Sequence, residues 1–312
     1  MLRRITRTIA FVVLLVIVSL LVWCFIPREP TYQGKKLSEY LRAFAKDGAQ
    51  VHNQPPFELV CSFQPSPERS RAWEALPKFG TNALPLMIEW LQAKDSRLKD
   101  LWIRWTRKQS IVSFTPLRAY EKRMAALAGF IRFGRQAEAA LPSIIPLLSD
   151  PSLSREAVFA LTFIRPEQAQ DILALTNALI DPGTWNEFEA MAALGSFGEK
   201  AAGAVPILID KLHSTNAGAR AVAAVALARI RKRPEEAVSI ILRNLQSTNQ
   251  SDGYPDSSIR MNLWALGEFG HYADVALPAI SNFVNDADRQ ISDAARAAIQ
   301  RITSQPADRR LP

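Results

Sequence analysis

FEAMAALGSFGEKAAGAVPILIDKL, residues 188–212, decides how the chain is read. It describes two short helices joined by a tight corner. The first carries Ala192, Ala193 and Leu194 and ends at Leu194-Gly-Ser-Phe-Gly198. The second begins near Ala201 and holds Val205, Ile207, Leu208 and Leu212 at helical spacing. One such hairpin cannot bury its own apolar face.

The same corner recurs as Leu76-Pro-Lys-Phe-Gly80, Phe130-Ile-Arg-Phe-Gly134 and Leu266-Gly-Glu-Phe-Gly270, and more loosely as Leu161-Thr-Phe-Ile-Arg165 and Leu227-Ala-Arg-Ile-Arg231. Successive corners lie 31 to 39 residues apart, except for a step of 54 between Gly80 and Gly134, which contains an insertion. A second-helix pattern follows each corner: ALPLMIEWL (83–91), ALPSIIPLL (140–148), DILALTNAL (171–179), AVPILIDKL (204–212), AVSIILRNL (237–245) and ALPAISNFV (276–284). Its proline falls in the first helical turn, where a missing N–H costs no hydrogen bond and the fixed φ suits helix entry. A fixed period of this size predicts an all-α, right-handed α-solenoid of about six to seven hairpins, each burying its face on its neighbours.

The A-x-x-A-L-G-x-F-G … A-x-P-x-L-I-x-x-L pattern resembles HEAT and HEAT-like repeats over roughly residues 66–303. The period is shorter than the ~40–47 residues of long HEAT units, and tetratricopeptide and ankyrin signatures are not visible. The resemblance implies a scaffold or adaptor; other relatives are chromophore lyases or repair alkylated DNA. The phrase Gly34-Lys-Lys-Leu-Ser-Glu-Tyr-Leu41 resembles a segment that follows the anchor in bacterial membrane-anchored HEAT-repeat proteins.

Residues 1–8 are short and basic, with Arg3, Arg4 and Arg7. Residues 9–26 carry no charge and as a helix span about 27 Å, just enough for the ~30 Å hydrocarbon core. No A-x-A-like cleavage site follows, and Trp23 before Cys24 does not suit a lipoprotein signal. The reading is an uncleaved transmembrane signal-anchor, N-terminus inside, with the solenoid outside the cytoplasmic membrane. Residues 27–66 form a spacer, a capping helix with Ser38 as its N-cap, and a proline-rich loop. The solenoid occupies 67–303, with an insertion at 95–117, and 304–312 is a polar tail expected to be disordered.

The formal charge is +8, part of it supplied by the N-terminal arginines. The modest excess left is weak support for a polyanion partner. Cys24 and Cys61 give no disulfide framework, and His52, His213 and His271 are scattered. Asp210 and His213 lie one helical turn apart, an ordinary exposed pair. No nucleophile elbow, P-loop or dinucleotide fingerprint is present, so no catalytic, metal-binding or cofactor-binding residues are assigned and the chain is not read as an enzyme.

Two surfaces remain. Across the second helices one polar column holds Glu89, Pro146, Asn177, Asp210, Arg243 and Asn282, and the adjacent column holds Trp90, Lys211, Asn244 and Phe283. Stacking aligns them into a ladder suited to a protein or peptide partner. Its mixed charge makes nucleic acid an unfavoured partner. In the insertion, Trp102 and Trp105 share a helical side opposite Arg97, Arg104 and Lys108. That stripe suits anionic lipid headgroups, phosphate or an acidic partner; the alternative is tryptophans packed on the first repeat with the basic side solvated.

Overall fold

The computed structural model describes residues 29–45, 50–54, 58–62, 65–97, 101, 116–180, 187–247 and 255–304. The expected anchor 9–26, the tail beyond residue 304 and most of the 95–117 insertion lie outside them. Among the described residues no helix is long and apolar enough to cross a membrane.

The chain is mostly helical. It begins with a two-residue hairpin, β1 (Thr31–Tyr32) and β2 (Lys35–Lys36), paired antiparallel. The hairpin turns through Gln33 (φ 50) and Gly34 (φ 75), the left-handed pair that tight hairpins favour. Helix α1 (Leu37–Arg42) follows directly, so its N-cap is Lys36 and not the expected Ser38. The Lys36 N–H donates to Glu39 Oε1 at 3.3 Å, while Ser38, one residue into the helix, donates its N–H to the Glu29 carboxylate.

Residues 50–62 correct a second expectation. In place of a proline-rich loop, β3 (Gln50–Gln54) pairs antiparallel with β4 (Glu58–Ser62), in register from Gln50↔Ser62 to Gln54↔Glu58. Neither strand contains a proline, so every ladder position keeps its N–H.

Helical hairpins then follow in order. Helix α2 (Pro67–Ala75) leads through a 3₁₀ stretch to α3 (Leu84–Leu91). After the insertion, α4 (Ala119–Phe133) leads through a 3₁₀ stretch (Gly134–Ala140) to α5 (Leu141–Ile144). Helix α5 lasts one turn because Pro146 denies the next amide, and the chain tightens to 3₁₀ at Ile145–Ser149. The remaining pairs are α6 (Ser154–Ile164) with α7 (Ala169–Ile180), α8 (Glu187–Ser196) with α9 (Val205–Lys211), α10 (Ala217–Ile230) with α11 (Pro234–Ser247), and α12 (Pro255–Phe269) with α13 (Leu277–Ser281). Helix α14 (Arg289–Ser304) closes the series.

The aligned corners behave alike. Their first residues, Leu76, Phe130, Leu161, Leu194, Leu227 and Leu266, are all fully buried at 0% exposure. Their last residues, Gly80, Gly134, Arg165, Gly198, Arg231 and Gly270, all have φ between 52° and 59°. Gly80 and Gly134 combine that φ with ψ −155 and −129, a region open to glycine alone, whereas Arg165 and Arg231 take the αL combination with ψ 71 and 34. After Gly134, Gly198 and Gly270 the 3₁₀ stretch buries an alanine every third residue: Ala137 and Ala140, Ala201 and Ala204, Ala273 and Ala276. Pro142, Pro206 and Pro278 then start the second helix, as expected. The first hairpin's connector is shorter, running only from Gly80 to Pro85.

Helices α4, α6, α8, α10, α12 and α14 each pack on the next, giving one continuous apolar core. Polar ties repeat at about the same period. Arg123 meets Glu156 at 2.7 Å, Arg155 meets Glu189 at 3.5 Å, Lys232 meets Glu199 at 3.6 Å and Arg301 meets Glu268 at 2.9 Å. Glu167 takes both Arg135 (2.6 Å) and Lys200 (3.3 Å), linking the units before and after its own.

Both ends of the core are covered. At the start, Tyr40 packs edge-on against Phe79 and Phe44 lies against Trp73. The buried Arg69 donates from Nε to the Ala43 carbonyl at 2.9 Å, tying α2 to the turn after α1. At the other end, α14 turns Ile291, Ala295, Ala298 and Ile302 inward and leaves Arg289, Asp293, Arg296 and Gln300 exposed.

Candidate functional site

The polar column on the second helices is outward-facing throughout: Glu89, Pro146, Asn177, Asp210, Arg243 and Asn282 are all exposed. Their neighbours one residue on are not. Trp90 is 4% exposed and belongs to the core, with Lys122 Nζ 5.6 Å from its ring centroid. Lys211 is half-buried and reaches Glu187 at 2.8 Å. The Asn244 amide donates to the Leu212 carbonyl at 2.9 Å, and Phe283 packs partly buried on the core. The physical reason is the helical step of about 100° per residue, which turns the second column inward from the first. Trp90, Lys211, Asn244 and Phe283 are therefore taken up by contacts within the fold and do not form an open surface beside the first column.

Glu89 lies 4.0 Å from Lys122 across the surface, too far and too exposed to hold it firmly. The remaining exposed rungs alternate acid, base and amide: Asn177, Asp210, Arg243 and Asn282. This pattern offers hydrogen bonds and isolated charges, and its mixed signs do not build a field for a polyanion.

The insertion leaves and returns at one place. The Ala119 N–H at the start of α4 donates to Asp95 Oδ1 at 2.9 Å, and Arg123 donates to the Ala93 carbonyl at 2.9 Å. Lys94 meets Asp150 at 2.6 Å. The hydrogen bonds from Lys94 and Ser152 lower the Asp150 carboxyl from 3.8 to about 2. Hydrogen bonding from Lys200, aided by the Arg135 charge, lowers Glu167 as well. Arg97 is exposed; Trp102, Arg104, Trp105 and Lys108 lie outside the described residues.

Asp210 and His213 are both exposed, and His271 stacks on Tyr272 with centroids 4.1 Å apart. Among the described residues no three His, Cys, Asp or Glu side chains are placed to hold a metal ion. A concavity of about 590 Å³ lies between β1, β2, α1 and α2. Lys35, Arg71 and Lys78 line it opposite Glu39, Glu68 and Glu74, so its charges offset. A second, of about 440 Å³, opens at the corners of α6, α8 and α10. Sequence reasoning did not single it out as a site. The visible signal was the arginine at two corners where the sister corners have glycine.

No family model matches the chain, and no curated protein matches it in sequence.

Proposed function

We propose that the chain is a HEAT-like α-solenoid, held to the cytoplasmic membrane by residues 9–26, that acts outside it as a non-catalytic scaffold for protein or peptide partners. The observation that carries this reading is the uniformly outward column of Glu89, Asn177, Asp210, Arg243 and Asn282, beside a column consumed by packing. A surface repeated once per unit meets an extended partner at several points, and each point contributes little alone. The repeated left-handed corners, the helix-on-helix core and the covered ends support the solenoid part of the reading.

The test is photo-crosslinking in intact membranes, with the crosslinker placed at Asp210 or Arg243, both in the column, or at Glu138 in a 3₁₀ connector. The scaffold reading expects discrete adducts from the first two that are missing from the third. The same adducts from all three positions would sink it.

A further inference from the structure

The last corner position is glycine in four units and arginine in two, and φ is positive at all six. Arg165 and Arg231 both have φ 57, with ψ 71 and 34. That conformation costs a residue with a Cβ roughly 1–2 kcal/mol, and glycine escapes the cost. Glycine would hold the same αL backbone without that cost, so the backbone does not demand arginine. Strain retained where a strain-free residue fits is a pointer to function.

Both arginines line the same cavity of about 440 Å³, on either side of the Gly198 corner. Its floor is low because the end of α8 is small, with Gly195, Ser196 and Gly198. Gly195 lacks a side chain for a packing reason, its close approach to Ala226. Arg229 forms a third wall, its guanidinium 5.4 Å from the Trp264 ring centroid, which orients its plane. The hydroxyl protons nearby are committed: Ser196 donates to the Ala193 carbonyl at 2.7 Å and Thr162 to the Val158 carbonyl at 2.8 Å. The charged groups on the cavity's lining besides Arg229 and Glu268 are Arg165 and Arg231. The single acid on the rim, Glu268, is matched by Arg301 at 2.9 Å. Among the described residues, the exposed Arg165 and Arg231 side chains take no hydrogen bond or ion pair.

We propose that this cavity binds an acidic segment of a partner polypeptide, with its carboxylates held by Arg165 and Arg231. The proposal rests on the scaffold reading and gives its partner a chemistry. Guanidinium groups pair with carboxylates through two parallel hydrogen bonds. Here they come from two corners about two repeats apart, Arg165 at the end of α6 and Arg231 at the end of α10. Charges distributed in that way suit an extended chain of carboxylates better than one compact phosphate.

The probe is fluorescein-labelled hexaglutamate, with hexaglutamine as its neutral match, titrated into the full-length protein in detergent. The variant is Arg165→Gly with Arg231→Gly, which removes both guanidinium groups while placing glycine where the backbone favours it, so the melting temperature is expected to hold or rise. Wild type binds hexaglutamate and not hexaglutamine, and the double variant binds at least about tenfold more weakly, the scale of two partly exposed ion pairs. The distant Arg289→Ala variant binds as wild type. Equal binding by the double variant overturns the proposal, as does displacement of the peptide by an equal concentration of inorganic phosphate. Binding of phosphatidylglycerol vesicles that depends on the two arginines, with no hexaglutamate binding, overturns it in favour of a lipid surface. A wild type that forms the Asp210 adducts yet binds no hexaglutamate overturns the pocket and leaves the scaffold reading standing.

Discussion

Gly195 and Ala226 stand so close across α8 and α10 that a methyl group added at Gly195 would lie 2.9 Å from the Ala226 Cα. The same relation holds one pair further on, where a Cβ at Gly267 would lie 3.0 Å from the Ala298 Cα. Backbone is on the receiving side in both cases, so no side chain can swing away. Gly195→Ala is expected to cost about 1–3 kcal/mol through overpacking, read as a lower urea midpoint. Gly203→Ala is the control. Nothing lies within 4 Å of a Cβ there and its φ is not positive, so stability is expected to hold or improve slightly.

The corners allow a test of opposite sign. Gly134 has φ 52 and ψ −129, a region closed to residues with a Cβ. Gly134→Ala is expected to destabilise by about 1–3 kcal/mol. Arg231→Gly at the equivalent corner relieves a left-handed arginine, and the unfolded-state entropy of glycine takes back part of the gain. The expected result is no loss, or a gain of up to ~1 kcal/mol. Two glycine-related substitutions at equivalent corners moving stability in opposite directions would be visible in thermal melts.

Arg123 and Glu156 form the most buried of the ion pairs between successive units, and Arg123 also serves the Ala93 carbonyl. Arg123→Ala removes both partners' donor at once and is expected to cost about 2 kcal/mol, in the range for hydrogen bonds involving charge. Lys94→Ala, which removes an exposed pair, is expected to change stability by under ~1 kcal/mol. Equal losses for the two would contradict the burial argument.

Asp150 makes a pH prediction. Its carboxyl is held at about 2 in the folded state against 3.8 ordinarily. A depressed carboxylate favours the folded state above its ordinary pKa and loses that contribution as pH falls toward the folded value. The contribution is therefore complete above about pH 5 and fades between there and pH 2. A carboxyl NMR titration of Asp150 should show the low midpoint, and Lys94→Ala should move it upward. An unchanged midpoint in that variant would remove Lys94 as the main cause.

Much of this architecture was legible in the sequence because the corners impose local demands. A left-handed step calls for glycine, a buried apex for leucine or phenylalanine, and a helix entry accepts proline. Those three demands repeat at Leu194, Gly198 and Pro206 and at their sister positions. The β3–β4 pairing was not legible, because Pro55 and Pro56 announce only the absence of helix, and a hairpin of five-residue strands has too few alternations to stand out. The candidate surface was half legible. Glu89 and Asp210 face outward as read, but Trp90 is turned into the core and Lys211 toward Glu187 of the facing helix, neighbours that a single helical wheel does not contain. The arginine cavity was hidden for the same reason, since Arg165 and Arg231 meet only after the chain has passed through two further hairpins.

The hydrogen bond from Ala119 to Asp95 has one more implication. The segment between those residues departs and rejoins at the width of a single bond, and the residue that opens it also caps the helix that follows. The two flanking units are thereby fastened to each other directly, and their joint does not have to be carried through the segment between them.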